Sequence, residues 1–164
     1  MIGNDIIDLS VAKLESNWQR RGFLEKQFTE KEQQLILTAS NPFVLVWKFW
    51  SMKEAAYKVY AQQNEVRFFA PKKFDCLLIS ENEGLVNFKD QIFYTSSIVT
   101  HHYIFTLASL EKVIKAYSKF VMPQSIDMMI KIKLQDVTAF SAKEIKQKKT
   151  KNRAPVYYLS LIHI

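Results

Sequence analysis

The chain has 164 residues, 48% hydrophobic and 24% charged, which suits one globular domain or two very small halves sharing a core, not a disordered chain or a membrane span. Its three glycines lie too far apart to write a glycine-rich phosphate loop, and Cys76, the single cysteine, allows neither an internal disulfide nor a cysteine-based zinc site. A formal net charge of +7 favours a polyanionic partner without choosing among nucleic acid, an acidic protein, anionic lipid and a phosphorylated small molecule.

Residues 1–9 carry Ile2, Ile6, Ile7 and Leu9 around Gly3, Asn4, Asp5 and Asp8, and predict a strand. The acids there do not suit a signal peptide, and the longest apolar stretch, FVLVW at 43–47, is far short of a membrane span, so a reducing, cytoplasmic protein is expected. Ser10 can cap a helix over residues 11–21 that presents Val11, Leu14 and Trp18 on one face and stops at Gly22. Thr29-Glu30-Lys31-Glu32 spells a capping box for a helix running to about Thr38. Asn41-Pro42 then suits the N-cap and first position of a long helix reaching about Gln62. That helix is apolar on most of its circumference and is expected to be buried on several sides.

Residues 74–80, 85–88, 91–99 and 102–108 are rich in Ile, Phe, Tyr and Thr and are separated by turn-forming clusters, which predicts antiparallel strands in hairpins. Residues 111–120 fit no single pattern. Residues 125–140 fit a helix, and nearly as well an alternating strand; the helix is favoured. Residues 143–153 hold six basic side chains and one acid, most simply a solvated basic face, and residues 156–164 close the chain with a strand-like run. The expected fold class is α+β, with antiparallel strands packed on one long buried helix.

On the long helix Ser51, Glu54 and Lys58 fall on one stripe, flanked by Trp47 and Trp50, while Ala55 and Ala56 leave room for a close neighbour. Helix spacing alone makes Glu54 and Lys58 an ordinary i,i+4 ion pair. Asp5, in a strand just after Gly3, supplies a second carboxylate. Two carboxylates, waters and phosphate oxygens make the usual shell of Mg²⁺, and a lysine one turn beyond Glu54 can neutralise a phosphate bridged to that metal. Taken alone, Asp5 reads first as a hydrogen-bonded residue at a strand end.

Ile2-Gly3-Asn4-Asp5-Ile6, followed by the segment Trp50-Ser51-Met52-Lys53-Glu54-Ala55-Ala56-Tyr57-Lys58 with Glu54 49 positions after Asp5, resembles the signature pair of the 4′-phosphopantetheinyl transferases, (I/V)GxD and (F/W)(S/A/C)xKE(A/S)xxK. Phe28-Thr29-x-x-Glu32 is similar to the family's (F/L)TxxE segment, and Arg20 and Arg21 lie near its basic first helix. The motif order resembles the compact holo-acyl-carrier-protein synthase branch.

The resemblance implies a 4′-phosphopantetheinyl transferase-like fold and an Mg²⁺-dependent enzyme. Such an enzyme moves the 4′-phosphopantetheine arm of coenzyme A onto a serine of an acyl or peptidyl carrier protein, releasing adenosine 3′,5′-bisphosphate. By position, Asp5 and Glu54 would hold Mg²⁺, Lys58 would contact the pyrophosphate of coenzyme A, and Glu54 would be the base for the serine hydroxyl. Lys53 is given a supporting phosphate or salt-bridge role. Asp8 lies one alternation from Asp5 and reads as a helix cap before a supporting residue of the metal site. Ala154-Pro155 and Ser160-Leu161-Ile162-His163 look like the family's third motif, which assigns Ser160 and His163 to the phosphate end of coenzyme A. The partners implied are coenzyme A and an acidic carrier protein, with neither nucleic acid nor membrane, and a homo-oligomer, trimeric in the compact branch. A single domain over residues 1–164 is expected, with residues 1–110 the motif-bearing half and 111–164 a poorly matched, incomplete second half. The alternative is a family scaffold that binds coenzyme A or carrier protein without turnover.

Overall fold

In the computed structural model the described residues are 1–64, 70–112, 123–138, 145–149 and 155–159. They divide into two compact units, Met1–Ile114 and Lys115–Ile164.

The first unit begins with strand β1 (Ile2–Asp8), followed by helix α1 (Leu9–Glu15). The cap of α1 is Asp8, not the expected Ser10. Asp8 Oδ1 accepts hydrogen bonds from Ser10 N at 2.9 Å, Val11 N at 3.0 Å and Ser10 Oγ at 2.6 Å. These donors hold its carboxyl below the usual carboxylate range, the Ser10 hydroxyl most strongly. The expected helix over 11–21 is also cut short at Glu15. Asn17 competes for the backbone, its side chain accepting from Gln19 N at 3.1 Å and its carbonyl from Arg20 N. Gly22 does not end this helix. It takes a left-handed conformation, φ 80°, at the start of α2 (Phe23–Gln27).

The capping box forms as read from the sequence and starts α3 (Glu30–Thr38), with Thr29 N donating to Glu32 Oε2 at 2.7 Å. Helix α4 (Pro42–Asn64) starts at the expected proline, with Asn41 Oδ1 accepting from Val44 N at 3.2 Å, and runs two residues past Gln62.

Strands β2 (Asp75–Leu78), β3 (Glu83–Phe88), β4 (Gln91–Val99) and β5 (Tyr103–Ser109) complete a five-stranded antiparallel sheet in the order β1-β5-β4-β3-β2. Glu83 and Gly84, expected in a turn, belong to β3 and pair with Ser96 and Thr95. A short 3-10 turn, Pro71–Lys73, precedes β2.

Helix α4 lies across one face of this sheet, and Val46, Phe49, Met52, Ala55, Ala56 and Val59 are fully buried there. Close approach needs a small residue on the sheet. A Cβ on Gly3 would stand 2.0 Å from the carbonyl oxygen of Ala55. Gly3 therefore sets how near β1 comes to the helix, and Asp5, two residues on, faces the same way.

In the second unit α5 (Ile126–Val137) realises the helix reading of residues 125–140, braced by an Asp127–Lys131 i,i+4 pair at 2.8 Å. Strands β6 (Ile145–Lys149) and β7 (Pro155–Leu159) form an antiparallel pair. Part of the basic run is thus strand, and the closing strand ends at Leu159. Residues 113–120, Ser160 and His163 lie outside the described residues.

Candidate active site

Asp5 on β1 and Lys58 on α4 meet. Lys58 Nζ donates to Asp5 Oδ1 at 2.9 Å and to the Asn4 carbonyl at 2.8 Å. The Asp5 side chain is only 12% exposed, and its Oδ2 is buried with no hydrogen-bond partner among the described residues. Glu54 sits one helical turn before Lys58 and is half-buried. Burial pushes its carboxyl above the usual range, and the negative charge of Asp5 pushes it further; Lys58 opposes both. The structure thus brings Asp5, Glu54 and Lys58 together. Among the described residues Lys58 pairs with Asp5 across the sheet and not with Glu54 along the helix.

Electrostatically the site is short of one cation. Among the described residues two neighbouring carboxylates face a single ammonium, and one carboxylate oxygen is buried without a donor. Such an oxygen is expensive to leave bare. A hard divalent cation would satisfy it and relieve the repulsion that raises the proton affinity of Glu54. No cluster of three or more metal-ligating side chains occurs among the described residues, so protein would supply two ligands and water or substrate the rest. That is ordinary for Mg²⁺, which keeps several waters. The donor set fits the ion.

Lys53 corrects the sequence reading. It is fully buried on another side of α4, where its ammonium donates to Glu32 Oε2 at 2.8 Å, to the Pro71 carbonyl at 3.0 Å and to the Phe74 carbonyl. An ammonium has three donors, and all three are used, so none remains for a phosphate. Its salt-bridge role stands instead. Glu32 is equally buried and also accepts from Cys76 N at 2.7 Å and Thr29 N. Each residue stands in a recognisable motif, but the bond between the motifs was missed. The available signal was one charge on each of two helices that bury their faces in the same core. Asp8 serves as the cap of α1, as described above.

A pocket of about 290 Å³ was also missed. It is lined by Arg20, Arg21, Gly22, Phe23, Lys26 and Gln27, with the Arg20 guanidinium 5.4 Å from the Phe23 ring centre.

The sequence pattern of the 4′-phosphopantetheinyl transferase superfamily matches residues 1–119, and the chain belongs to this family. The apo-ACPS structure from Chronobacterium ammoniagenes is similar to it with a TM-score of 0.53 and 15% identity, over 66% of this chain and 93% of that one. The holo-(acyl-carrier-protein) synthase of Bacillus anthracis, in complex with CoA (3′,5′-ADP), gives 0.51 and 16%, over 65% of this chain and 91% of that one. The Helicobacter pylori enzyme in complex with coenzyme A gives 0.50 and 16%, over 66% and 97%. At these identities the likeness shows the fold. None of the curated protein sequences is a significant match. Ser160 and His163 lie beyond residue 119, so the family match does not extend to them. Among the described residues no helix is long and apolar enough to cross a membrane.

Proposed function

We propose that the chain transfers the 4′-phosphopantetheine arm of coenzyme A to a serine of an apo carrier protein. The serine oxygen bonds to the phosphorus of the arm, the bond from that phosphorus to adenosine 3′,5′-bisphosphate breaks, and the hydroxyl proton passes to a base. The observation that carries the reading is the meeting of Asp5, Glu54 and Lys58 at one place, with a carboxylate oxygen left bare.

In this reading Asp5 and Glu54 hold Mg²⁺, which would withdraw charge from the pyrophosphate oxygens. Lys58, 43% exposed and with two of its three donors engaged among the described residues, turns toward the pyrophosphate. Glu54, directly or through a water, takes the serine proton. The work of the site is positioning and charge neutralisation, which is what phosphoryl transfer chiefly needs. The relatives from Bacillus anthracis and Helicobacter pylori bound to coenzyme A support that co-substrate here.

An acidic carrier fits a chain of net charge +7 that exposes Arg20 and Arg21 beside a pocket. The catalytic groups all belong to the motif-bearing half, residues 1–110, and residues 111–164 form a second half. A homo-oligomer of the compact kind and a cytoplasmic location complete the proposal; molar mass in solution tests the former.

The test is mass spectrometry of an apo acyl carrier protein incubated with the chain, coenzyme A and Mg²⁺. The carrier gains the mass of the arm with the wild-type chain, and Asp5→Asn and Glu54→Gln lose the gain while keeping the wild-type circular dichroism. Normal turnover in both variants would refute the site. Coenzyme A binding with no mass gain under any condition would leave the non-catalytic scaffold. His163→Ala, with Ser160→Ala, raises the KM for coenzyme A if those residues hold its phosphate end, and an unchanged KM removes them from the site.

A further inference from the structure

Lys58 and Lys53 are held in different ways. The Lys53 ammonium has no exposure and three acceptors, which fix it in the interior. The Lys58 ammonium meets two acceptors among the described residues, Asp5 Oδ1 at 2.9 Å and the Asn4 carbonyl at 2.8 Å, and its side chain is 43% exposed. This contact lies at the rim of the site, and the ammonium rides on a flexible four-carbon stem that can swing into water. Both acceptors are oxygens, and one is charged. A hard divalent cation takes oxygens of the same kind.

Charge decides what that overlap means. The charges of Asp5 and Lys58 both reach Glu54, so the three side chains form one electrostatic group. Two carboxylates with one ammonium leave the group negative, and it repels a pyrophosphate. A divalent ion turns the group positive, and it then attracts one. The arriving ion, however, meets an ammonium already on Asp5, and like charges repel. A charge within about 4–6 Å changes the proton affinity of a carboxylate by about 10- to 1,000-fold, and a divalent ion feels the same field with twice the charge. The repulsion is relieved when the lysine swings outward, away from Asp5.

We infer that Lys58 is an exchangeable counter-ion: its ammonium neutralises Asp5 when no divalent ion is bound, competes with the ion for that carboxylate, and is released toward the substrate phosphate when the ion binds. The inference rests on the two-carboxylate metal reading and adds to it a competition which that reading does not require. A lysine that merely held Asp5 in position would act in the opposite sense. It would strengthen the metal site, and its loss would weaken metal binding. The direction of the change in metal affinity therefore separates the two roles.

The experiment measures Mn²⁺ binding to the full chain by electron paramagnetic resonance, with Mn²⁺ as the probe for the Mg²⁺ site. Lys58→Met keeps most of the side chain's bulk without its charge and is expected to bind Mn²⁺ about tenfold or more tighter than wild type. Lys58→Arg keeps the charge and stays near the wild-type affinity, and Asp5→Asn loses binding. The same Mn²⁺ concentration should also raise the melting temperature of Lys58→Met more than that of wild type, because an ion held more tightly by the folded chain stabilises it more. Unchanged or weaker Mn²⁺ binding in Lys58→Met, beside lost binding in Asp5→Asn, overturns the inference and leaves the metal reading intact. Failure of both wild type and Lys58→Met to bind Mn²⁺ overturns both. Should Lys58→Met fail to fold, Mn²⁺ is expected to restore its circular dichroism by replacing the missing charge, and a variant that stays unfolded overturns the inference.

Discussion

Replacing Lys53 with methionine removes the ammonium from the interior while keeping most of its bulk. Glu32 would then hold a charge in a site with no exposure, and the Pro71 and Phe74 carbonyls would each lose the hydrogen bond from the ammonium. Breaking a buried pair by deleting one partner costs about 3–5 kcal/mol. The fold of a domain this size rests on about 5–15 kcal/mol in all, so the loss is a large part of the total. The double variant Glu32→Gln/Lys53→Met removes the stranded charge, and the glutamine oxygen can keep the bond from Cys76 N. It should recover part of the loss, because no uncompensated charge is left in the interior. Urea unfolding followed by tryptophan fluorescence reads both variants, since Trp47 lies in the core. A single variant no less stable than the double refutes the interior pair. Where Lys53→Met stays folded it should still transfer the arm, because Lys53 touches no substrate. Lost transfer at unchanged stability would return Lys53 to phosphate binding.

Other consequences follow from the same coordinates. Gly3→Ala puts a methyl against the Ala55 carbonyl oxygen, a contact no side-chain rotation can relieve, and should cost about 3 kcal/mol or more while lowering transfer; wild-type stability would show that β1 and α4 are not pressed together. Lys58→Ala removes a charge-assisted contact worth about 1.5–3 kcal/mol and should raise the KM for coenzyme A about tenfold or more, with a lowered melting temperature because the mostly buried Asp5 carboxylate loses its cation; an unchanged KM would take Lys58 off the pyrophosphate. Cys76 is buried, and burial holds its thiol well above the ordinary value of 9.0. Native protein should therefore resist iodoacetamide at pH 8 and react only in urea, and rapid native alkylation would contradict its placement. The sign for stability follows: above pH 9.0 the unfolded chain gives up the thiol proton while the folded chain keeps it, so stability falls as pH rises, and Cys76→Ala should lose that slope.

How far the sequence could be read depended on how local the deciding interaction was. The capping box of α3 and the Asn41-Pro42 start of α4 are contacts among residues a few positions apart, and both formed where the residues said. The end of α1 failed because Asn17 offers the backbone a turn that competes with the helix, and the apolar spacing through Trp18 concealed it. Asp5, Glu54 and Lys58 were legible because they stand in two short motifs whose residues and order resemble a family signature. What a single helix could not reveal was that Lys58 would cross to the strand and bond Asp5. Lys53 was left between two roles for a related reason. A lysine in a motif beside a catalytic carboxylate suggests phosphate, and only its direction on the helix, toward Glu32, decides otherwise.

The two lysines of one motif thus do opposite work, and five positions of helix separate their directions. Five residues turn an α-helix by about 500°, leaving the second lysine well around the axis from the first. One ammonium faces the interior and ties α4 to α3 and β2 through Glu32. The other faces the edge strand and meets Asp5. Glu54, next after Lys53, is carried on the same rigid helix, so its distance from Asp5 is set by how α4 seats on the sheet. Gly3 sets that seating on one side, through its contact with Ala55, and the Lys53 pair sets it on the other. The convergence of two carboxylates, unfavourable by itself, is held in place by packing at positions that never touch a substrate.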